Sequence, residues 1–332
     1  MYHSSLVLRK IALILSIVGL ILFVILAISL LLSRDDPYTT YHNLPLEAII
    51  PDPSAADIVA ASDSNLPVHL VRLYRRRSDR HALCWFECLA VLSMLAFLRP
   101  THIYLHTNYP DFWPFDTCSG LIRDWSAVRV VPVRRRYHAN GRRMNHVDQY
   151  IAHEADMIKF ITLYKYGGLF LDFDVFILPN ITTLLDELQT HDCITTKEHP
   201  KYNPDALNSG FIACRPQTPF IADILRRYRN DYRPEWTYNS GYVPFGLYNS
   251  SRSATYRQRI YIDETVIQNE AEAVWNSTTG LWRAEGVFEW RQKAAYHAVF
   301  HNCSLNEETL RRHNTSLAQL MRFVLDNGRA SL

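Results

Sequence analysis

From about residue 67 onward, apolar and polar positions alternate between strand-like and helix-like periods. Short apolar runs predict strands, and longer stretches with apolar residues three and four apart predict helices. The predicted strands are Val68–Tyr74, His102–His106, Ala127–Val133, Leu169–Val175, Cys193–Thr196 and Gly210–Cys214. The predicted helices are Ala82–Leu98, Val147–Tyr166, Thr183–Leu188, Phe220–Tyr228 and Glu307–Leu325. This βαβ rhythm predicts an α/β fold in which helices flank a sheet.

The stretch from Asp156 to Leu178 carries the most informative local pattern. An apolar stripe predicts a helix, and Gly167 and Gly168 supply the left-handed conformation that commonly ends one. The predicted strand that follows carries Asp172 and Asp174 two residues apart, and therefore on one face. A solvated turn is the usual explanation of D-x-D, but the apolar residues around this pair favour a central strand.

Two carboxylates on an apolar strand are costly to bury unless a cation neutralises them. Mg²⁺ and Mn²⁺ prefer oxygen ligands and are often held by one or two carboxylates together with substrate phosphates. The pair therefore predicts a divalent metal that would neutralise a diphosphate leaving group.

The first 66 residues differ from the rest in composition. Residues 11–32 contain no charged residue and are long enough to cross a bilayer as a helix. Arg9 and Lys10 precede this segment, which predicts a cytoplasmic tail at 1–10, a signal-anchor at 11–32 and a translocated remainder. A cleaved signal peptide is the alternative. The proline-containing residues 33–66 predict a stem, and residues 67–332 predict one luminal domain.

Charge and cysteine content narrow the choice of partners and compartment. Residues 1–34 hold three basic residues and no acidic one, which leaves 32 basic against 33 acidic residues, so nothing predicts a nucleic-acid partner. Five asparagines stand in N-x-S/T sequons, and they are Asn180, Asn249, Asn276, Asn302 and Asn314. All six cysteines also follow the predicted anchor, where an oxidising lumen would permit disulfides. Six cysteines allow fifteen full pairings, so their connectivity stays open.

The segment HEADMIKFITLYKYGGLFLDFDVFIL resembles the DXD sugar-binding region of glycosyltransferase family 32, the α1,4-galactosyltransferase- and α1,4-N-acetylglucosaminyltransferase-like group. LNSGFIACRPQTPF and YHAVFHN resemble later blocks of that family. The chain departs from the family pattern in having Lys159 where arginine is usual and Phe170 where tyrosine is usual. Lysine keeps the charge but lacks the planar bidentate fork of arginine.

The resemblance implies a GT-A fold, related to the Rossmann fold, in a Golgi type II membrane enzyme. It further implies Mn²⁺-dependent (or Mg²⁺-dependent) transfer of a sugar from a nucleotide sugar, such as UDP-galactose or UDP-N-acetylglucosamine, with retention. The acceptor would be a glycan on a lipid or a protein, and a homodimer is possible.

The resemblance also implies roles for individual residues. Asp156, Lys159 and Gly168 are expected at the nucleotide or donor sugar. Asp172 is expected at the ribose or the metal, and Asp174 at the metal. The third metal ligand is expected to be His301, with His297 as the second choice because the register is ambiguous. Asn208, beside Ser209, is expected near the reacting sugar.

Purely structural explanations compete with these roles. A histidine at a strand end with no metal, and a turn-forming asparagine before Gly210, would give the same sequence. Two other functions also stay open: a Golgi pseudoenzyme that binds a glycan without transfer, and a haloacid-dehalogenase-like phosphatase, whose first motif is also a strand ending in D-x-D. The phosphatase is disfavoured because that motif normally opens its domain and no G-D dipeptide occurs in this chain.

Overall fold

A seven-stranded mixed sheet organises the chain, with β1 (Val68–Arg72) inside it. The computed structural model describes residues 66–135, 138–139, 142–143, 150–198, 203–250, 254–263, 267–269, 273–276, 281–284, 289–298, 303 and 305–331. No helix within these ranges is long and apolar enough to span a membrane. The predicted tail, anchor and nearly all of the predicted stem lie outside them, so those predictions stay untested.

The helices and strands follow in chain order. The first half contains β1, α1 (Trp85–Ser93), β2 (Ile103–Thr107), β3 (Val128–Pro132), β4 (His138–Ala139), β5 (Arg142–Arg143), α2 (Tyr150–Tyr166), β6 (Gly168–Leu171) and β7 (Val175–Ile177). The middle contains α3 (Ile181–Leu185), β8 (Cys193–Lys197), β9 (Leu207–Cys214), α4 (Pro219–Asp231), α5 (Val243–Asn249), α6 (Ala254–Arg259) and β10 (Ile260–Asp263). The last part contains β11 (Ile267–Asn269), β12 (Ala273–Asn276), β13 (Leu281–Ala284), β14 (Ala295–His297), α7 (Glu307–Arg312) and α8 (Ser316–Ser331).

The strand order in the main sheet is β10-β8-β9-β6-β1-β2-β3. The strands β6, β1, β2 and β3 are mutually parallel, whereas β9 runs antiparallel to both β6 and β8. Helices pack on the sheet around a continuous apolar core to which α1, the strands and α8 all contribute. The predicted α/β fold, a mixed sheet flanked by helices, is therefore confirmed.

The order of the parallel strands locates the place where a ligand is expected. Along the chain β1 is followed by β2 on one side, and the next long crossover, through α2, returns the chain to β6 on the other side. Open α/β sheets bind ligands beyond the carboxyl ends of their strands at such a reversal of strand order. The residues that follow β6 therefore occupy the favoured position.

Two disulfides lie in this framework. Cys193 and Cys214 are directly opposite each other in β8 and β9, and Cys88 of α1 is bonded to Cys118. Among the described residues, Cys84 and Cys303 are free thiols. The structure thus selects two bonds from the pairings that the sequence left open.

Two predicted elements differ from those observed. The predicted helix Glu307–Leu325 is two helices, α7 and α8. The break is stabilised by Thr315, whose hydroxyl accepts a hydrogen bond of 3.1 Å from the backbone N–H of Ala318 and so caps α8. The predicted helix Ala82–Leu98 begins at Trp85 and ends in a π-helical turn at Met94–Leu98.

Candidate active site

The D-x-D motif lies in a turn rather than inside a strand. We predicted one strand over Leu169–Val175, with both aspartates on one face, and this prediction is wrong. The strand β6 stops at Leu171, and β7 begins at Val175 in a separate three-stranded sheet with β14 and β11. The backbone N–H of Asp172 donates to the carbonyl of Gly210 at 2.9 Å, and that of Val175 donates to the carbonyl of Asp172 at 3.2 Å.

The turn nevertheless brings the two carboxylates together, since ligand atoms of Asp172 and Asp174 lie within 4.8 Å of each other. Phe173, between the aspartates, is buried in the apolar core and anchors the turn. Asp174 is buried, whereas 38% of the Asp172 side chain is exposed. One carboxylate is thus enclosed by protein, and the other is half-buried.

The glycine pair that precedes the motif has the predicted role. Gly167 and Gly168 have φ values of +65° and +103°, which residues other than glycine rarely adopt. A Cβ atom on Gly168 would lie 2.5 Å from the carbonyl oxygen of Pro67 and 2.9 Å from Nε2 of His69. Gly168 is therefore packed against protein atoms at the start of β6, and the donor contact that the resemblance implied for it stays a prediction.

His297, at the end of β14, completes a cluster with the two aspartates. It pairs with Val175 in the antiparallel ladder between β14 and β7, and the N–H of Ala298 donates to the carbonyl of Asp174 at 3.0 Å. Its Nε2 lies 3.2 Å from Oδ1 of Asp174. Ligand atoms of Asp172, Asp174 and His297 all lie within 4.8 Å of one another. His301, our first choice, lies outside the described residues, and the structure places the second choice in the cluster.

Asn208 holds the other side of the His297 ring. Its Oδ1 lies 3.1 Å from Nδ1 of His297 and accepts a hydrogen bond of 2.8 Å from the N–H of Gly210, while its Nδ2 donates to Glu198 at 2.9 Å. Because that amide oxygen is an acceptor, Nδ1 must carry the proton, which leaves Nε2 directed at Asp174. Histidines that bind metals are oriented by this kind of outer hydrogen bond. Asn208 therefore lies on the Nδ1 side of His297 and orients its ring.

Electrostatics favour a cation in this cluster. Burial alone lowers the pKa of His297, but the Asp174 carboxylate outweighs burial and raises that pKa above its usual value. Withdrawal from water raises the pKa of Asp172; the Lys159 ammonium opposes that shift and the Asp174 carboxylate adds to it. The Asp174 carboxylate raises both pKa values, because it stabilises the imidazolium of His297 and repels the carboxylate of Asp172.

Lys159 on α2 is buried between acidic groups. Its Nζ lies 3.0 Å from Oδ1 of Asp156, 3.3 Å from Oδ1 of Asp172 and 2.6 Å from the carbonyl oxygen of Ser209. Burial lowers the pKa of Lys159, but Asp172 and Asp156 outweigh burial and raise it, so the ammonium stays charged. Only 2% of this side chain is exposed. The donor contact that the resemblance implied for Lys159 stays a prediction, and the structure adds that this ammonium is paired with Asp156 and Asp172.

The two departures from the family pattern touch each other. The Nζ of Lys159 lies 4.4 Å from the centre of the Phe170 ring, within the range of a cation–π contact. Lys159 and Phe170 are therefore packed against each other in the folded chain.

Gly210 leaves room for the His297 ring. A Cβ atom at this position would lie 2.5 Å from Cε1 of His297 and 2.9 Å from each of its ring nitrogens. We predicted a role for neither Gly210 nor Glu198. The sequence held one weak signal, a glycine two residues after Asn208, which a turn would equally explain.

The donor set fits a divalent ion. Two carboxylates and one imidazole within 4.8 Å of one another supply hard oxygen ligands and one nitrogen ligand, a combination suited to Mn²⁺ or Mg²⁺. Asp174 and His297 would hold the ion from the protein side, and the half-buried Asp172 would complete the protein ligands. Asp156 lies beside this group, 14% exposed, with its Oδ1 3.5 Å from the hydroxyl of Ser209.

Comparison with known proteins identifies the same stretch. Residues 116–195 match the family described as the glycosyltransferase sugar-binding region containing the DXD motif. The glucan organizing enzyme 1 of Cryptococcus neoformans is 22% identical over 257 residues, covering 72% of this chain and 64% of that protein. An uncharacterized protein of Arabidopsis thaliana is 26% identical over 83 residues, covering 25% of this chain and 12% of that protein. The chain thus matches less than two thirds of the length of either relative.

Similar solved structures are distant. The galactosyltransferase LgtC shares 10% identity with a TM-score of 0.39, and the alignment covers 80% of this chain and 96% of that one. The glycosyltransferase GlyE of Streptococcus pneumoniae shares 9% identity with a TM-score of 0.41, covering 79% of this chain and 60% of that one.

The matched region contains α2, the glycine pair and both aspartates of the site described above. The resemblance drawn from the sequence is therefore confirmed over this stretch. Residues 116–195 are thus similar to the sugar-binding region, with its DXD motif, that glycosyltransferases contain.

Proposed function

We propose that this chain is a Golgi type II membrane enzyme of GT-A fold that transfers a hexose or an N-acetylhexosamine from a nucleotide sugar to a glycan acceptor. The proposed donor is UDP-linked, UDP-galactose or UDP-N-acetylglucosamine, and the proposed ion is Mn²⁺, with Mg²⁺ as the alternative. The product would be an α-linkage formed with retention on a glycolipid or a glycoprotein.

One observation carries this proposal: two carboxylates and one imidazole converge where β6 ends. Asp172 and Asp174 lie inside the matched region, and His297 pairs with Val175 of that region. That position is the reversal of strand order, where α/β sheets bind ligands. A nucleotide sugar presents a diphosphate, and a divalent ion held at such a place neutralises the charge that develops on the leaving nucleotide.

The residues of the chain would divide the work as follows. Asp174 and His297 hold the ion from the buried side, and Asp172 offers a carboxylate on the solvent side. Asn208 fixes the orientation of the His297 ring and keeps its proton on Nδ1, so that Nε2 is available as a ligand. Lys159 keeps Asp172 in place and balances the charge of Asp156, and is in our account a positioning residue.

The compartment is supported indirectly. The two disulfides, Cys88–Cys118 and Cys193–Cys214, are typical of proteins that mature in an oxidising compartment. Asn180, the asparagine of the first sequon, is exposed and lies immediately before α3. These features agree with the anchor and sequons in the sequence, and they support a luminal catalytic domain.

A panel of nucleotide sugars tests the proposal. The purified full-length chain is incubated with each donor and Mn²⁺, and released UDP or GDP is measured with and without a chelator. We expect Mn²⁺-dependent release from a UDP-sugar, and we expect Asp174→Asn to reduce it at least about 100-fold, since a buried ligand is lost. The matched control is Asp186→Asn, an exposed aspartate outside the site, which should leave release unchanged.

Two results would decide for the rival functions. Mn²⁺-dependent UDP binding without release from any donor, with or without a glycan acceptor, would indicate a pseudoenzyme. Metal-dependent release of phosphate from a phosphate monoester, without release of UDP or GDP, would indicate a phosphatase, although the family match already supports the transferase. The anomeric configuration of an isolated product separately tests retention.

A further inference from the structure

Cys84 and Cys303 lie next to each other although more than two hundred residues separate them in the sequence. The two Sγ atoms and a carboxylate oxygen of Glu87 all lie within 4.8 Å of one another. Cys84 is the residue before α1 and is half-buried, whereas Cys303 is exposed. A thiol that reagents can reach therefore stands beside one that is largely covered.

The third member of this group, Glu87, is already engaged. One carboxylate oxygen accepts from Arg72 at 2.6 Å, and the other accepts from the backbone N–H of Cys84 at 2.9 Å. Its side chain is only 4% exposed. A structural zinc site takes four ligands, commonly all cysteine or histidine, and the described residues offer here only two thiols and an occupied carboxylate. The geometry is therefore poor for a metal and suited to bonding between the sulfurs.

We propose that Cys84 and Cys303 form a third disulfide in the mature protein, closed after folding by exchange with a small disulfide of the glutathione class. The same chain already holds two disulfides, so the conditions that form them are those in which this pair would also be oxidised. Cys84 lies one helical turn before Cys88, which is bonded to Cys118. Both bonds would then fasten the beginning of α1.

The chemistry proceeds by two exchanges. The exposed Cys303 thiolate attacks one sulfur of the small disulfide, breaks its S–S bond and releases one small thiol. Cys84 then loses its proton, attacks Cys303 Sγ and displaces the second small thiol. Two protein thiols become one disulfide, one external disulfide becomes two thiols, and the two protons pass to the released thiols.

The order of these steps follows from the environment of each thiol. Burial raises the pKa of Cys84, and the Glu87 carboxylate raises it further, so Cys84 is a poor first nucleophile. Cys303, by contrast, is exposed and accessible to an external disulfide. Cys303 should therefore react first, and the closing step by Cys84 should accelerate as the pH rises.

The bond would restrain the segment that leaves the candidate active site. Cys303 follows His297 by six residues and precedes the buried Leu305 and α7. A cross-link from Cys84 would tie Cys303 to the amino end of α1. The expected consequence is stabilisation of the fold, without a change in the residues that hold the ion.

Peptide mapping of the full-length chain tests the proposal. The purified protein is incubated in a buffer of oxidised and reduced glutathione, alkylated under denaturing conditions without reduction, and digested. We expect a peptide pair linked through Cys84 and Cys303 in most molecules, in addition to the two known bonds. The double variant Cys84→Ser/Cys303→Ser should melt roughly 5 °C lower than the oxidised parent.

The single variants test the order of attack. In Cys84→Ser, Cys303 should retain one glutathione as a mixed disulfide, whereas in Cys303→Ser, Cys84 should remain an unmodified thiol. Alkylation of both cysteines in most parent molecules would overturn the proposal. So would linkage of either one to Cys88 or Cys118, or stoichiometric zinc with no linked peptide.

Discussion

Gly210→Ala is the substitution that tests most sharply how the site is built. The added Cβ atom would lie 2.5 Å from Cε1 of His297, and ordinary contacts begin at about 3.4 Å. The ring or the strand must therefore give way by about 0.9 Å. Gly210 is not among the described glycines with positive φ, so alanine meets no backbone penalty and the clash acts alone.

The His297 ring has little freedom to retreat. Its nitrogens lie 3.1 Å from Oδ1 of Asn208 and 3.2 Å from Oδ1 of Asp174, so a shift of this size loses at least one contact. Metal–ligand distances tolerate only about 0.2 Å of change. We expect Mn²⁺ affinity to fall about 10–100-fold, as when the support of a ligand is lost. The overpacked site should also lose about 1–3 kcal/mol of unfolding free energy.

Mn²⁺ titration followed by electron paramagnetic resonance, in saturating UDP, measures the affinity, and urea denaturation measures the stability. The control is Gly246→Ala in α5, where no atom lies within 4 Å of the added Cβ. Alanine in that helix should keep the Mn²⁺ affinity and gain up to about 1 kcal/mol of stability. If the Mn²⁺ affinity of Gly210→Ala is within threefold of that of the parent, then His297, which lies against Gly210, is not a metal ligand.

Three further predictions address other parts of the site. Lys159→Gln removes the ammonium from its buried carboxylate partners, so urea denaturation should show a loss of about 3–5 kcal/mol, and unchanged stability would contradict the buried ion pair. Asn208→Ala should weaken Mn²⁺ binding about 10–100-fold by freeing the His297 ring, and an unchanged titration would remove its orienting role. Burial lowers the pKa of His69 to about 4, below its unfolded value of 6.5, so the stability it contributes is full above pH 6.5 and is lost as the pH falls towards 4. Urea denaturation with a chelator measures the free energy of unfolding at both ends of this pH window. The loss between pH 6.5 and 4 should be about 3 kcal/mol smaller in His69→Gln than in the parent, and an equal loss would place the titrating groups elsewhere.

Much of the fold follows from local pattern, because the periodicity of apolar residues decides both the element and its buried face. The glycine pair at Gly167 and Gly168 was predicted for the reason that the structure shows. The continuous strand was wrong because an unbroken apolar run does not reveal where a chain bends. The bend at Asp172 depends on a hydrogen bond to Gly210 of another strand, which local sequence does not encode.

The sequence predicted the candidate site only where its residues are close together in the chain. Asp172 and Asp174 were found because they stand two residues apart in one segment. His297 was only a second choice, because its place depends on the register of β14 against β7, more than a hundred residues away. Asn208 was missed as the partner of the histidine for a similar reason, since 89 residues separate the two in the sequence. The burial of Lys159 against Asp172 and Ser209 likewise forms only in the folded chain.

The central claim is that Asp172, Asp174 and His297 together hold the divalent ion that a nucleotide sugar requires. Anomalous diffraction at the manganese edge, from crystals grown with Mn²⁺ and UDP, tests it most directly. We predict one strong peak within roughly 2.3 Å of an oxygen of Asp174 and of Nε2 of His297, with Asp172 and the diphosphate on its open side. A peak elsewhere, or UDP bound while His297 remains paired with Asp174 and no manganese is present, would contradict the account.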